Sequence, residues 1–269
     1  MKTNKRASIQ LAAAIFAVGL ATSTVPAATI DWGVGAQNIT GDSDVSTDGT
    51  LVDAFAFGTE TSALFTTVNG VTFAPLVFPE FGNVTALSPG NYNFSLNSGG
   101  RLTSYGDLGT PGIGAYAGLS SSYASLLGSG GGATSVSGAG PLTLTISGLM
   151  IGQTYQFQWW ANNSSFSTSS SDDGYQSTST VAIDSNGSFV GLQVNDLSNV
   201  GSLGQYAIGT FTADALTEGI TFYGNSEDNG DMIINGMQLR DITPTPEPST
   251  WALSAMGGLG SLLVFRRRK

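Results

Sequence analysis

The chain has 269 residues, 41% hydrophobic and 10% aromatic, with 19 acidic against 9 basic side chains, 37 Gly, and neither Cys nor His. Without an imidazole or a thiol it cannot build a Ser-His-Asp or Cys-His nucleophile, a zinc site of the usual N/S type, a haem ligand or a disulfide scaffold. The formal charge of −10 argues against nucleic acid as a partner, since phosphate binding needs a basic stripe, while the apolar content is sufficient to fill a core.

The basic residues sit at the two ends. Lys2, Lys5 and Arg6 open the chain and Arg266, Arg267, Arg268 and Lys269 close it, leaving Arg101 and Arg240 between. Residues 29–243 hold eighteen acids and two bases, so the middle carries about −16. Lys2 to Arg6, the apolar run Ile9 to Leu20 and the small-residue exit Val25-Pro26-Ala27-Ala28 read as a secretory signal peptide over residues 1–28.

Residues 29–243 read as one all-β domain, a single antiparallel β-sandwich. Period-two alternation of β-branched and aromatic residues marks strands at Val52–Phe57, Asn91–Phe94, Leu142–Ile146, Thr154–Trp160, Gln205–Phe211 and Ile220–Tyr223. Turn signals punctuate them at Asn69-Gly70, Pro89-Gly90, Ser147-Gly148, Asn186-Gly187 and Asn229-Gly230. Leu119–Leu127 has apolar residues on one side of about two helical turns. Gly128 then ends the helix, and Gly130-Gly131-Gly132 reads as a flexible connector. The Asn/Ser-rich stretch Asn162–Ser171 reads as a long exposed loop.

Several residues stand out as candidate site residues. Asp42, Asp44 and Asp48 share a Gly-bounded loop, and Glu227, Asp228 and Asp231 a second one. Spaced carboxylates are what a hard cation needs, so either loop is a candidate for a structural calcium, although neither follows the D-x-[DN]-x-[DN]-G pattern. Trp159 and Trp160 are strand neighbours and must face opposite sides of their sheet. Trp159 shares its side with Tyr155 and Phe157 and reads as core. Trp160 shares its side with Gln156 and Gln158, and an indole beside two amides is a candidate sugar platform, the alternative being an indole covered by a loop. Glycoside hydrolysis needs two carboxylates, and Glu80 in Phe78-Pro79-Glu80-Phe81 is the best single candidate, with no second member in evidence.

Thr243-Pro244-Thr245-Pro246-Glu247-Pro248 is a stiff extended segment. Trp251–Phe265 follows without a charge, and its fifteen residues would make a helix of about 23 Å, a marginal span of a bilayer core of about 30 Å. The terminal Arg/Lys cluster places itself on the cytoplasmic side and residues 29–248 across the membrane. Pro246-Glu247-Pro248, a short apolar segment (transmembrane helix, 249–265) and Arg266-Arg267-Arg268, behind a signal peptide, resemble the PEP-CTERM sorting signal of exopolysaccharide-producing Gram-negative bacteria. The resemblance covers residues 244–269. It implies an exosortase partner, an integral membrane protease that recognises the motif, and a membrane-anchored precursor bound for the cell envelope or extracellular matrix.

A second resemblance covers roughly residues 140–242. The order of strand Leu142–Ile146, Gly152-Gln153-Thr154-Tyr155 and the closing run Ile233-Ile234-Asn235-Gly236-Met237-Gln238-Leu239-Arg240 is similar to galactose-binding-like jelly-roll modules. Such modules imply carbohydrate binding, often with a structural calcium. The leading expectation is therefore a non-enzymatic exported protein that binds or scaffolds exopolysaccharide. The alternatives are a structural or adhesion protein with no defined ligand, favoured by a fully covered Trp160 with no groove, and a polysaccharide-degrading enzyme, favoured by two carboxylates facing across a cleft.

Overall fold

The computed structural model describes residues 28–59, 65–77, 83–87, 91–98, 102–106, 108–109, 112, 114–133, 141–164, 179–195, 202–224 and 232–244. Residues 1–27 of the expected signal peptide, the transmembrane segment 249–265 and the basic tail lie outside them. Among the described residues no helix is long and apolar enough to cross a membrane.

The described chain is a β-sandwich, as the alternation predicts. One sheet has seven strands in the order β1 (Gln37–Asn38), β13 (Gln205–Thr212), β10 (Thr154–Ala161), β16 (Gly236–Asp241), β2 (Thr50–Gly58), β4 (Val71–Val77) and β3 (Thr66–Val68). The facing sheet has six, ordered β12 (Phe189–Gln193), β11 (Ser179–Asp184), β14 (Thr217–Gly224), β9 (Leu142–Ser147), β6 (Asn93–Ser98) and β5 (Asn83–Leu87). Neighbouring strands are antiparallel except β2 and β4, which run parallel. The main core fills the space between the sheets, where inward residues of one meet those of the other: Phe55 lies 5.2 Å from Phe94 and Trp159 5.2 Å from Phe222, both edge to face.

A second core lies on the outer side of the seven-stranded sheet. Ala54, Ala56, Phe73, Trp160 and Tyr206 are covered there by Val45, Tyr116 and the helix α1 (Ser121–Leu127), which presents Tyr123, Ala124, Leu126 and Leu127. The expected helix is thus present, capped by Ser120, whose Oγ accepts from Tyr123 N at 3.1 Å. The sandwich has three layers rather than two, and its central sheet is buried on both faces.

Gly130–Gly132 is not the flexible connector its composition predicts. Gly130–Ala133 is a strand, β8, between β7 (Leu102–Tyr105) and β15 (Met232–Ile234) in a small third sheet. A side chain on Gly130 would stand 3.0 Å from Leu108 Cδ1 and 3.1 Å from Ile234 O, so crowding explains its glycine. The long closing run is likewise split, with Asn235 at the crossing from β15 to β16. Its buried amide donates to Leu127 O at 2.9 Å, Ser129 O at 2.8 Å and Asn162 O at 3.1 Å, and its oxygen accepts from Asn162 N at 2.5 Å. Asn162 in turn donates to Tyr116 Oη and accepts from Gly204 N. Asn162 and Asn163 are therefore buried rather than the start of an exposed loop. Residues 165–178 lie outside the described residues.

This pair of amides ties α1, the small sheet and the central sheet together at one point. Replacing Asn235 with Ala removes the partner of Ser129 O, Asn162 O and the Asn162 N–H, while Leu127 O keeps Tyr116 Oη. The expected outcome is a loss of about 2–4 kcal/mol in denaturant unfolding, with Asn235→Asp no rescue, since a carboxylate cannot donate to those carbonyls.

Candidate functional site

The nominated sugar platform and the nominated calcium loop turn out to be two sides of one internal contact. β10 and β16 are paired so that Gln156 stands opposite Arg240 and Gln158 opposite Gln238. Trp160, Gln158 and Gln156 are 0%, 0% and 6% exposed, because the strap 39–49, with α1, lies over them. Gln158 Nε2 donates to Asp44 O at 2.6 Å and its Oε1 accepts from Ser46 N at 3.0 Å. Gln238 Nε2 donates to Ser46 O at 3.1 Å and to Gln158 Oε1 at 2.6 Å. The Arg240 guanidinium donates to Thr47 O, Asp48 O and Gly49 O at 3.1, 2.5 and 3.2 Å. Burial pulls its pKa down and Asp48 pushes it back up.

These contacts correct two expectations. Trp160 cannot stack on a sugar: its ring packs edge to face on Phe73 at 5.6 Å and its Nε1 donates to Tyr123 Oη at 3.0 Å. Asp42, Asp44 and Asp48 do not converge on a common cation. Asp42 accepts from Ser120 Oγ at 2.6 Å, whereas Asp44 accepts from Thr40 N, Thr40 Oγ1, Gly41 N and Tyr123 Oη. Burial, then the neighbouring Asp44, drive the Tyr123 phenol pKa far up, so it remains a neutral donor. The loop carbonyls that a calcium would use face Gln158, Gln238 and Arg240 instead, and the donor set does not fit the ion. Among the described residues no group of three or more carboxylates gathers for a metal. Glu227, Asp228, Asp231 and Glu80 lie outside the described residues.

The carboxyl that does carry a raised pKa is Glu218, which the sequence reading passed over. It points inward from β14, is 1% exposed, and is pushed up to about 7 by burial first, then by Asp184 and Asp214. The backbone N–H of Gly219 and of Ala28 oppose that rise. Asp184 is occupied by Ile30 N, Asn186 N and Ser188 N. Glu218 and Asp184 are both buried, 1% and 5% exposed.

An open polar surface exists elsewhere, on the outer face of the six-stranded sheet. Register places Asn97, Thr143, Thr221, Ile183 and Phe189 in one row across β6, β9, β14, β11 and β12. Ser95, Thr145 and Gly219 form the next row on one side, and Tyr223, Val181 and Gly191 the next on the other. Thr143 Oγ1 and Thr221 Oγ1 are 3.3 Å apart. None of these outward positions is charged, although residues 29–243 carry eighteen acids. Tyr223 and Phe189 are 41% and 69% exposed. The period-two pattern contains these outward positions (Thr143, Thr145, Thr221, Tyr223), whereas the indole of Trp160 marks the other sheet, where it is covered. A shallow groove lined by Asn38, Ile39, Ala115, Ser202 and Leu203 lies at the far end of β13 and carries no charged group.

The chain leaves the sandwich at Thr243, where Thr154 N donates to Thr243 Oγ1 at 2.9 Å, and enters the segment read above as a sorting signal. Comparison with protein families matches residues 244–269 to the PEP-CTERM protein-sorting motif. The chain is an exosortase substrate. The PEP-CTERM motif makes it an exported protein whose precursor is anchored at the membrane and processed by exosortase, a membrane protein. No curated protein matches the sequence. Among solved structures the chain is similar to the enzymatically active domain of tailspike protein 4 of bacteriophage CBA120, at 19% identity and a TM-score of 0.31, over 55% of this chain and 19% of that one. The galactose-binding-like resemblance of residues 140–242 finds no support among these comparisons.

The Glu218 carboxyl titrates near 7 in the fold against 4.5 ordinarily, so the native state holds more protons than the unfolded chain between those values. Its contribution to stability is fully present below about pH 4.5 and declines as the pH rises through 7. Glu218→Gln is expected to raise the melting temperature by several degrees at pH 8 and little at pH 4.5, which thermal melts across that range would check. In cells, replacing Pro246-Glu247-Pro248 by three alanines is expected to leave the precursor in the membrane fraction unprocessed, as read by mass on a blot. Processing identical to wild type would contradict the role of the triplet.

Proposed function

We propose that the exported domain is a non-enzymatic scaffold of the cell envelope or extracellular matrix that binds exopolysaccharide through the outer face of its six-stranded sheet. The observation that carries this reading is the uncharged face itself, with the hydroxyls of Ser95, Thr143, Thr145 and Thr221, the Asn97 amide, and Tyr223 and Phe189 exposed beside them. A sugar polymer offers hydroxyls to hydrogen-bond and apolar C–H faces to stack, and fixed threonines, asparagines and aromatic rings answer both. Five strands at about 4.8 Å spacing give a row of about 19 Å, long enough for several sugar units of an extended chain. An open face suits a polymer that lies along it. A non-enzymatic role is supported by the fate of the described acids: Asp44 and Asp184 fasten backbone loops, and Glu218 points into the core.

The test is affinity electrophoresis against a panel of neutral and acidic bacterial exopolysaccharides. Joint replacement of Tyr223 and Phe189 by Ala is expected to weaken retention about tenfold, since two aromatic contacts of about 0.5–1.5 kcal/mol each are lost. Trp160→Phe is expected to leave retention unchanged. Unchanged retention in the double variant would reject this face. Wild-type protein retained by none of the polymers would leave a structural or adhesion protein without a defined ligand.

A further inference from the structure

Large apolar side chains stand exposed at several places, and three of them meet at one end of the sandwich. Met150, Ile151 and Leu216 are 57%, 64% and 63% exposed. They come from two loops that are bonded to each other: Gly148 N and Leu149 N both donate to Leu216 O, Gly152 N donates to Ala213 O, and Ala213 N donates to Gln153 O. Met150 to Gln153 is a tight turn closed by Gln153 N to Met150 O at 3.0 Å, and Gly152 takes the positive φ of 86° that a type II turn requires at its third residue. The tip is therefore held, and its apolar side chains point to solvent from a fixed backbone.

Both ends of the described chain emerge here. Asp31 bridges Thr210 two residues before β13 ends, Asn186 Nδ2 donates to Thr29 Oγ1, and Ala28 N lies against Glu218. At the other terminus Ile242 N donates to Thr154 O at 2.9 Å, immediately beside the 150–153 turn. Only seven residues separate Thr243 from the uncharged run that starts at Trp251. Eight residue steps reach at most about 28 Å. As long as the apolar segment is in a bilayer, this end of the sandwich stays close to the lipid surface.

We propose that the Met150–Ile151–Leu216 tip is a membrane-contact site, which inserts its three side chains among the lipid headgroups of the bilayer that anchors the precursor and docks the sandwich end-on. The proposal rests on the membrane-anchored precursor that the sorting motif marks. Contiguous exposed apolar side chains at the tethered end gain from leaving water. The nearby carboxylates Asp214 and Asp241 stand at the same end, and Arg240, the one basic residue among those described, is turned into the strap. Contact is then driven by apolar insertion and not by anionic lipid: it is strongest on phosphatidylcholine and weakened by phosphatidylglycerol. Docked in this way, the domain fixes the start of the sorting segment and presents Pro246-Glu247-Pro248 at the membrane edge.

The chain contains no cysteine, so a single introduced one labels uniquely. Full-length precursor in phosphatidylcholine vesicles would carry an environment-sensitive fluorophore at Ile151→Cys, or at Asn38→Cys as the control. Asn38 is exposed and pairs with Gln205 at the opposite end of β13, about 24 Å from Thr212. Sedimentation with the vesicles reads the anchor independently of the tip. The expected result is a blue shift at 151, quenched by nitroxide-labelled lipid, with an aqueous spectrum at 38. Adding Met150→Ser and Leu216→Ser is expected to abolish the shift while the emission of the buried Trp159 and Trp160 stays unchanged. Equal spectra at 151 and 38 in sedimenting protein would overturn the proposal, as would a shift that survives both serines. A shift seen in native membranes and absent from pure lipid would assign the tip to a membrane protein instead.

Discussion

A sheet face that presents the amides of Gln158 and Gln238 and the guanidinium of Arg240 can be covered only by something rich in acceptors. The strap 39–49 meets that requirement with its backbone: the carbonyls of Asp44, Ser46, Thr47, Asp48 and Gly49 are all answered by Gln158, Gln238 and Arg240. Neither side of this contact can be buried alone, because each orphaned donor or acceptor would cost about 1–3 kcal/mol. Joined, they seal the outer side of the seven-stranded sheet and let Trp160, Phe73 and α1 form a second apolar core beside the strap. The central sheet becomes rigid on both faces, and the open sheet surface of the fold is left to the six-stranded side.

Strand alternation in the sequence correctly separated Trp159 from Trp160, and Tyr155 and Phe157 from Gln156 and Gln158. A period of two tells which residues share a side; it says nothing of what lies over that side. The cover for Trp160 comes mainly from α1, and that for Gln158 from a strap more than a hundred positions upstream, whose acidic composition suggests an ion loop when read alone. Gly130–Gly132 misled for a related reason. Glycine marks both flexible chain and crowded chain, and the crowding here is supplied by Leu108 and Ile234, from segments that the local sequence does not contain. Glu218 was invisible because its alternation places it inward like any apolar residue, and only the neighbouring Asp184 and Asp214 give its position a meaning.

The absence of cysteine gives these polar contacts their weight. An exported domain has access to disulfides, and this one uses none. Its long-range cross-links are hydrogen bonds between residues far apart in sequence: Arg240 to the 47–49 turn, Asn235 to the end of α1, Asp184 to Ile30. Each joins the first quarter or the middle of the chain to its last half, the connectivity that a disulfide would otherwise provide. None depends on redox conditions.

The distribution of charge follows from the same division of surfaces. About −16 resides on residues 29–243, yet the outward rows of β6, β9, β14, β11 and β12 are neutral. A neutral sheet face with exposed Tyr223 and Phe189 offers a second copy an apolar patch to pack on. Acids elsewhere on the domain raise the cost of that approach, because like charge repels over roughly a Debye length of 8 Å at physiological salt. A polysaccharide strand, thinner than a second domain, can lie on the neutral rows without bringing a matching set of carboxylates close. The same acidity, together with the inward turn of Arg240, leaves the membrane end with no electrostatic pull toward anionic lipid. Contact at that end falls to Met150, Ile151 and Leu216, held on two hydrogen-bonded loops, and to the seven residues that tie the sandwich to its apolar segment.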